Sequence, residues 1–167
     1  MGLRLNIGCG GDLRAGWVNI DAHHPGADRR MRVQDLDYPD GSVEHIEAVM
    51  VLEHLGPDDA RAFARNARRM LAPGGVLVIE VPDLLKVCQL VLLHADDPNA
   101  LENSPFGLRG IFGDPTTHNS LEDVHRWGYT PASLTRLLTE AGFTTVTTSD
   151  GLSHGYPLRD LRAEARR

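Results

Sequence analysis

The chain has 167 residues, a formal charge of −6 and 41% hydrophobic residues, enough for one domain that buries roughly two-thirds of its unfolded surface. Its acidic balance, 23 Asp and Glu against 17 Lys and Arg, excludes a broad surface for nucleic acid or for an anionic membrane. Two cysteines, Cys9 and Cys88, are too few for a disulfide framework and read as reduced thiols of a cytoplasmic protein.

The first apolar-alternating strand spans 3–7 and leaves no room before it for a signal or transit segment. Further strands are predicted at 17–20, 30–34 and 45–50. A helix follows over 57–71, with Pro57 at its first position, Asp58 and Asp59 at the positive end of its dipole, and Arg68 and Arg69 at the negative end. Gly74-Gly75 stops it, and a strand runs over 75–81. Asp83 caps a helix over 84–95 that is apolar nearly all round. Its apolar run, Leu84 to Leu93, is too short to cross a bilayer; such a helix is buried in the core or covered by a lid or a partner, a second copy in a homodimer being one such cover. Residues 96–120 carry three prolines, three glycines and three asparagines and read as a long loop, so that 84–120 forms a lid or acceptor-binding insertion. Thr130 and Pro131 open a helix over 131–141 that Gly142 closes. Strands are expected at 143–149 and near 152–156, and the basic tail from Arg159 to Arg167 reads as a solvated face. Strand and helix in alternation give an α/β domain, a mostly parallel sheet of about seven strands with helices on both faces. Lys86 is the single lysine among the basic residues, a bias of GC-rich bacterial genomes.

The strand over 3–7 runs into Gly8-Cys9-Gly10, and the next strand ends at Asp21. Glycines there allow a tight turn against which a ligand meets bare main chain, and an acid at the tip of the second strand can accept hydrogen bonds from a ribose diol. The dinucleotide fingerprint G-x-G-x-x-G/A fails, because its last position is Leu13. The acid also comes 13 residues after Gly8 rather than about 20. Residues 11–16 hold one helical turn at most, leaving little helix N-terminus for a pyrophosphate. A cofactor with a ribose and no phosphate fits, and S-adenosylmethionine is the common one.

Three later segments make the likeness specific: Asp35-Leu36-Asp37-Tyr38-Pro39-Asp40-Gly41-Ser42-Val43, Val51-Leu52-Glu53-His54-Leu55, and Leu71-Ala72-Pro73-Gly74-Gly75-Val76-Leu77-Val78-Ile79. With the glycine loop, and in this order, they resemble the class I S-adenosylmethionine-dependent methyltransferases, a Rossmann-like fold, and most of all the short bacterial enzymes that begin L-N-x-G-C-G. The resemblance implies a cofactor site of Asn6, Gly8, Cys9, Gly10, Asp21, Asp35, Leu36 and Met50. Asn6 stands where the family usually has an acid. Asp21 would bind the ribose, Asp35 and Leu36 the adenine, and Met50 would lie beside the sulfonium.

The implied reaction is methyl transfer to a small-molecule acceptor, a hydroxyl of a sugar or secondary metabolite being favoured. A base must then take the acceptor proton, and a histidine suits that task. The candidates are His125, which precedes an aromatic stretch at Trp127 and Tyr129, then His118 and His54. No H-x-x-x-H or C-x-x-C pair is present, and His23-His24 point apart in an extended segment, so no metal site is expected from local motifs. Two alternatives use the same cofactor: a lyase or cyclase, and a non-catalytic binding subunit.

Overall fold

A computed structural model describes residues 2–114 and 124–167. Strands β1 (Leu3–Ile7), β2 (Val18–Asp21), β3 (Arg29–Arg30), β4 (Val43–Val49), β5 (Leu71–Pro82), β6 (Thr145–Asp150) and β7 (Asp160–Arg166) form one sheet in the order β3-β2-β1-β4-β5-β7-β6. The first five pair in parallel, and β7 runs antiparallel between β5 and β6. From β1 the chain winds outward to β2 and β3, then returns to β4 on the other side, which puts a topological switch point between β1 and β4. The connection from β1 to β2 contains turns and no helix.

Pairing register separates the two faces of the sheet. Leu5, Ile46, Leu77 and Ala165 stand in one row, and Ile7, Ala48, Ile79 and Ala163 in the next. All are buried in the core, beneath α1 (Pro57–Met70) and α5 (Pro131–Glu140), which add Phe63, Ala67, Met70, Leu134 and Leu138. The other face is polar. Asn6, Glu47 and Glu164 share a row, with Val78 the apolar residue between the two glutamates, and Glu80 and Arg162 share the next. Arg14, from the connection that lacks a helix, pairs with Glu47 at 2.9 Å, and Arg162 lies 3.8 Å from Glu47 and 3.7 Å from Glu80. Ion pairs and amides thus occupy the face beside the shortened crossover.

Both long helices follow their sequence signals. Pro57 opens α1, and Leu71 already belongs to the next strand. Thr130 and Ser133 form a reciprocal capping box on α5. Gly142 closes it at φ +94, where a Cβ would also meet the Arg68 side chain. β5 is longer than the predicted 75–81: it starts at Leu71, and the Ala72–Gly75 segment bulges between the Val43–Leu71 and His45–Val76 pairs. The Gly74-Gly75 pair therefore shapes a bulge rather than a helix stop.

Several expectations are corrected. The strand over 30–34 shrinks to Arg29–Arg30 and gives way to a 3-10 turn at Val33–Asp35. The last strand lies at 160–166 and not near 152–156, where Gly155 at φ +85 turns the chain. The basic tail is no solvated face: Arg159 and Asp160 are buried, joined at 2.6 Å. Leu161, Ala163 and Ala165 supply the alternation, and alanines between charges carry little hydrophobic signal. Helix α2 (Leu84–Leu93), capped by Asp83 as expected, buries only Val87; Leu85, Leu92 and Leu93 are exposed, Leu92 at 76%. Residues 96–114 of the expected loop hold α3 (Pro98–Asn103) and α4 (Leu108–Phe112), and 115–120 lie outside the described residues. No helix among the described residues is long and apolar enough to cross a membrane.

The buried Arg159–Asp160 pair yields a stability prediction. Replacing Asp160 with Ala strands a guanidinium in the interior and should cost about 3–5 kcal/mol. Leu158→Ala, at an exposed neighbour, should change stability by less than about 0.5 kcal/mol. Urea unfolding of both variants checks this; equal midpoints would contradict the buried placement of β7.

Candidate functional site

Two cavities open at the carboxyl ends of the parallel strands, where open α/β sheets bind their ligands. The first, of about 390 Å³, is lined by Ile7 and Gly8 from the end of β1, Ile20 to His23 after β2, Met31 to Gln34, and Met50, Val51, His54, Leu55 and Arg126. The second, of about 410 Å³, is lined by Met50, Glu53, His54, Pro82, Pro105, Arg109, Gly113, Asp114, His125, His154 and Arg159. Met50 and His54 line both.

The glycine turn is shaped by close approach. Gly8 takes φ +64, and a Cβ there would lie 2.4 Å from Val51 Cγ2, so no other residue fits. Gly10 follows at φ +46. Its amide donates to Asp21 Oδ2 at 2.9 Å, while the amides of His23 and His24 donate to Oδ1 at 2.8 Å each. Burial disfavours the Asp21 charge, yet these three backbone donors outweigh it and hold the carboxyl below its ordinary pKa. A carboxylate accepts about four hydrogen bonds; three are used, so about one acceptor direction, on Oδ2, is left for a hydroxyl.

The other residues expected at the cofactor are placed differently. Asn6 does not line the first cavity: its Nδ2 donates to Asp12 O at 2.7 Å and Asn19 Oδ1 at 3.1 Å. It is a strut that fixes the turn from beneath. Cys9 is buried, its amide on Ile20 O at 3.0 Å; burial and then Asp21 push its thiol up to about 11, which keeps it an inert thiol. Leu36 is buried in the core and Asp35 is exposed, and neither lines the cavity. The 3-10 turn brings Val33 and Gln34 there instead. Asp37 pairs with Arg69 at the surface.

Met50 holds φ +53, the one non-glycine residue in the left-handed region among the described residues. Such a conformation costs of order 1–3 kcal/mol and persists where the surroundings enforce it. Here the Met50 amide donates to Glu80 O at 2.8 Å, and the side chain stands in the wall shared by the two cavities.

Beyond that wall, the 3-10 turn Leu52–His54 presents Glu53 and His54. The Glu53 carbonyl accepts the amides of Arg126 and Trp127 at 2.7 and 3.1 Å, and the His125 amide donates to Phe112 O at 3.0 Å. These main-chain bonds set the His54 and His125 rings edge to face, centroids 5.1 Å apart. The sequence treated the two histidines as separate candidates; the fold brings them together. His118 lies outside the described residues. Burial, and then the neighbouring His54, lower the His125 pKa to about 4 against the pull of main-chain bonds to Gly110 and Ile111, so the ring is neutral rather than poised near pH 7. Burial also pushes Glu53 up to about 8. The aromatic wall expected beside His125 is elsewhere: Tyr129 belongs to the core, and Trp127, 51% exposed, lines neither cavity.

Sequence reasoning missed several lining residues. Arg109 and Pro105 sit in the stretch read as a loop, and His154 and Arg159 near the misplaced last strand. The amides of Leu152, Ser153 and His154 all donate to the buried Glu80 carboxylate at 2.8–3.0 Å, and a long-range contact of that kind leaves no local signature.

A family profile described as a methyltransferase domain matches residues 7–148. No curated protein matches the chain. Among solved structures, a SAM-dependent methyltransferase from Archaeoglobus fulgidus superimposes with a TM-score of 0.65 at 15% identity, over 99% of this chain and 86% of that one. One from Mesorhizobium loti gives 0.63 at 14% identity, over 99% and 90%. The 1,6-didemethyltoxoflavin-N1-methyltransferase of Burkholderia thailandensis, solved with its substrate and S-adenosylhomocysteine, gives 0.63 at 17% identity, over 99% and 70%. These likenesses show the fold; the profile, matching most of the sequence, shows that the chain belongs to the methyltransferase-domain family, as a class I methyltransferase whose cofactor is S-adenosylmethionine.

Proposed function

We propose that the chain transfers a methyl group from S-adenosylmethionine, held in the first cavity, to a hydroxyl of a small molecule, a sugar or a secondary metabolite, held in the second. The observation that carries this reading is the common wall: Met50 and His54 line both cavities, so one ligand's reactive end can meet the other there.

The cofactor supplies an electrophilic methyl group on a sulfonium. The residues around it bind and orient. The bare turn at Gly8–Gly10 takes the methionine arm, Asp21 accepts one ribose hydroxyl, and Val33 and Gln34 flank the adenine. Met50 borders the sulfonium. In the second cavity Arg109 and Arg159 offer donors to acceptor oxygens, and His54 and His125 stand nearest the shared wall. The acceptor oxygen attacks the methyl carbon in line, the carbon–sulfur bond breaks with its electron pair going to sulfur, and the hydroxyl proton leaves to the His54–His125 side. Correct placement of oxygen and methyl contributes most of the acceleration. The described part of the 84–120 segment, up to Asp114, serves as the acceptor-side cover, a role supported by Pro105, Arg109, Gly113 and Asp114 in the wall; residues 115–120 lie outside the described residues.

Turnover with a panel of sugar and phenol hydroxyl acceptors tests the reading. S-adenosylhomocysteine in step with acceptor methylation is expected. Methylthioadenosine instead would mark cleavage of the amino-acid arm, as a lyase would give. Cofactor binding without turnover on any acceptor, restored by another chain, would mark a binding subunit.

Two substitutions separate the cavities. Asp21→Ala removes the ribose acceptor and a tether of the glycine turn. It should cost about 1.5–3 kcal/mol, a weakening of the S-adenosylhomocysteine Kd by roughly tenfold to over a hundredfold. Titration calorimetry showing less than a twofold change would remove Asp21 from the site. His125→Ala should lower kcat by about 10²–10⁴ with Kd for S-adenosylhomocysteine nearly unchanged. A variant with ordinary kcat would release His125 from the proton's path.

A further inference from the structure

Glu53 is 2% exposed, and neither of its carboxylate oxygens accepts a hydrogen bond among the described residues. A buried carboxyl group without a hydrogen-bond partner has lost its hydration, and the nearby Arg159 charge offsets that loss only in part, so its position suits a cation or a donor that arrives with a ligand. It faces two imidazoles. Its Oε1 lies 4.0 Å from His54 Nε2. One donor atom from each of Glu53, His54 and His125 falls within 4.8 Å of the others.

We propose that Glu53, His54 and His125 form a binding site for a divalent transition-metal ion at the second cavity. Two imidazole nitrogens with one carboxylate oxygen are a donor set of catalytic zinc sites and of open-faced first-row metal sites, and they suit such ions better than Mg²⁺. Bonds of about 2.0–2.2 Å need the three atoms to close in by about 1 Å, a change that side-chain torsions supply. The three positions are held by backbone: Glu53 and His54 share one 3-10 turn, and the bonds from Arg126 and Trp127 to the Glu53 carbonyl fix His125 beside them. The two arginines in this cavity oppose a cation only weakly, because Arg159 is paired with Asp160 at 2.6 Å and Arg109 with Asp114 at 2.7 Å.

What the ion does rests on the function proposed above. Three protein ligands leave a coordination position open toward the acceptor. An acceptor hydroxyl bound there becomes more acidic: its proton passes to water, its oxygen attacks the methyl carbon, and the electron pair of the carbon–sulfur bond stays on sulfur. His54 and His125 then act as ligands and not as the proton's final holder. Nothing local in the chain hints at this, since the ligands come from two distant segments and neither forms a known metal motif.

The test is calorimetric titration of the full chain, stripped with a chelator, with Zn²⁺, and absorption spectroscopy with Co²⁺. One equivalent should bind, Co²⁺ should develop visible bands of a four- or five-coordinate site, and Mg²⁺ should bind at least tenfold more weakly. Glu53→Gln and His125→Ala should each weaken Zn²⁺ binding at least tenfold, while His94→Ala on the far end of α2 should leave it unchanged. In the unaltered protein Zn²⁺ should also shield His54 and His125 from diethyl pyrocarbonate, a readout that does not depend on whether a variant folds. No Zn²⁺ binding, or binding indifferent to Glu53→Gln and His125→Ala without shielding, overturns the metal site. S-adenosylhomocysteine titrated in parallel keeps the two claims apart: if it binds and Zn²⁺ does not, the metal site alone fails. If Zn²⁺ binds and S-adenosylhomocysteine does not, the metal site stands and the methyl-transfer reading fails.

Discussion

At Gly8 the end of β1 passes so close to Val51 that a single Cβ would overlap the valine side chain. Everything at the site is measured from that approach. It sets the glycine turn against the segment that leaves β4, and so places Met50, Glu53 and His54 one residue to three residues from the contact. The turn is fixed from below by Asn6 and from the side by Asp21, whose carboxylate gathers amides from both strand ends. In the proposed cofactor site the loop's donors and acceptors are already oriented, which lowers the cost of ordering them on binding.

The polar face of the sheet does comparable work beside the second cavity. Most members of this architecture bury both sheet faces under helices, whereas here a helix is missing from the first crossover and Glu47, Glu80, Arg14 and Arg162 form a charged array. Glu80 then gathers the amides of 152–154, which carry His154 to the second cavity next to the buried Arg159–Asp160 pair. The shortened crossover and the make-up of the second cavity are thus linked through one carboxylate.

Much of the fold was legible, for physical reasons that differ by element. β1 and α1 announce themselves through alternation, capping and dipole charges, all local effects. β7 was illegible because its inward residues, Ala163 and Ala165, are small and its outward ones are charged; it exists by pairing with β5 and β6, not by its own preference. The apolar run of α2 left core, lid and partner open as its cover, and within the single chain the core does not bury it. At the first cavity, the place of Gly8 and Asp21 in the wall could be read from spacing, but that of Val33 and Gln34 could not. A 3-10 turn at Val33–Asp35 replaces a strand continuation and puts Val33 and Gln34, rather than Asp35 and Leu36, in the wall of the first cavity. The meeting of Glu53, His54 and His125 depends on two main-chain bonds across the fold, and spacing carries no trace of those.

The most direct test of the central claim is a thermal scan with S-adenosylmethionine, S-adenosylhomocysteine, NAD and NADP. A ligand that binds only the folded state at about 100 times its Kd adds roughly 2.7 kcal/mol. For a chain of this size that raises Tm by about 5–10 °C. The account predicts such a rise with the two sulfur compounds and none with the dinucleotides. A protein that unfolds cooperatively yet shows no shift at millimolar S-adenosylmethionine, or that shifts with NAD instead, would contradict it.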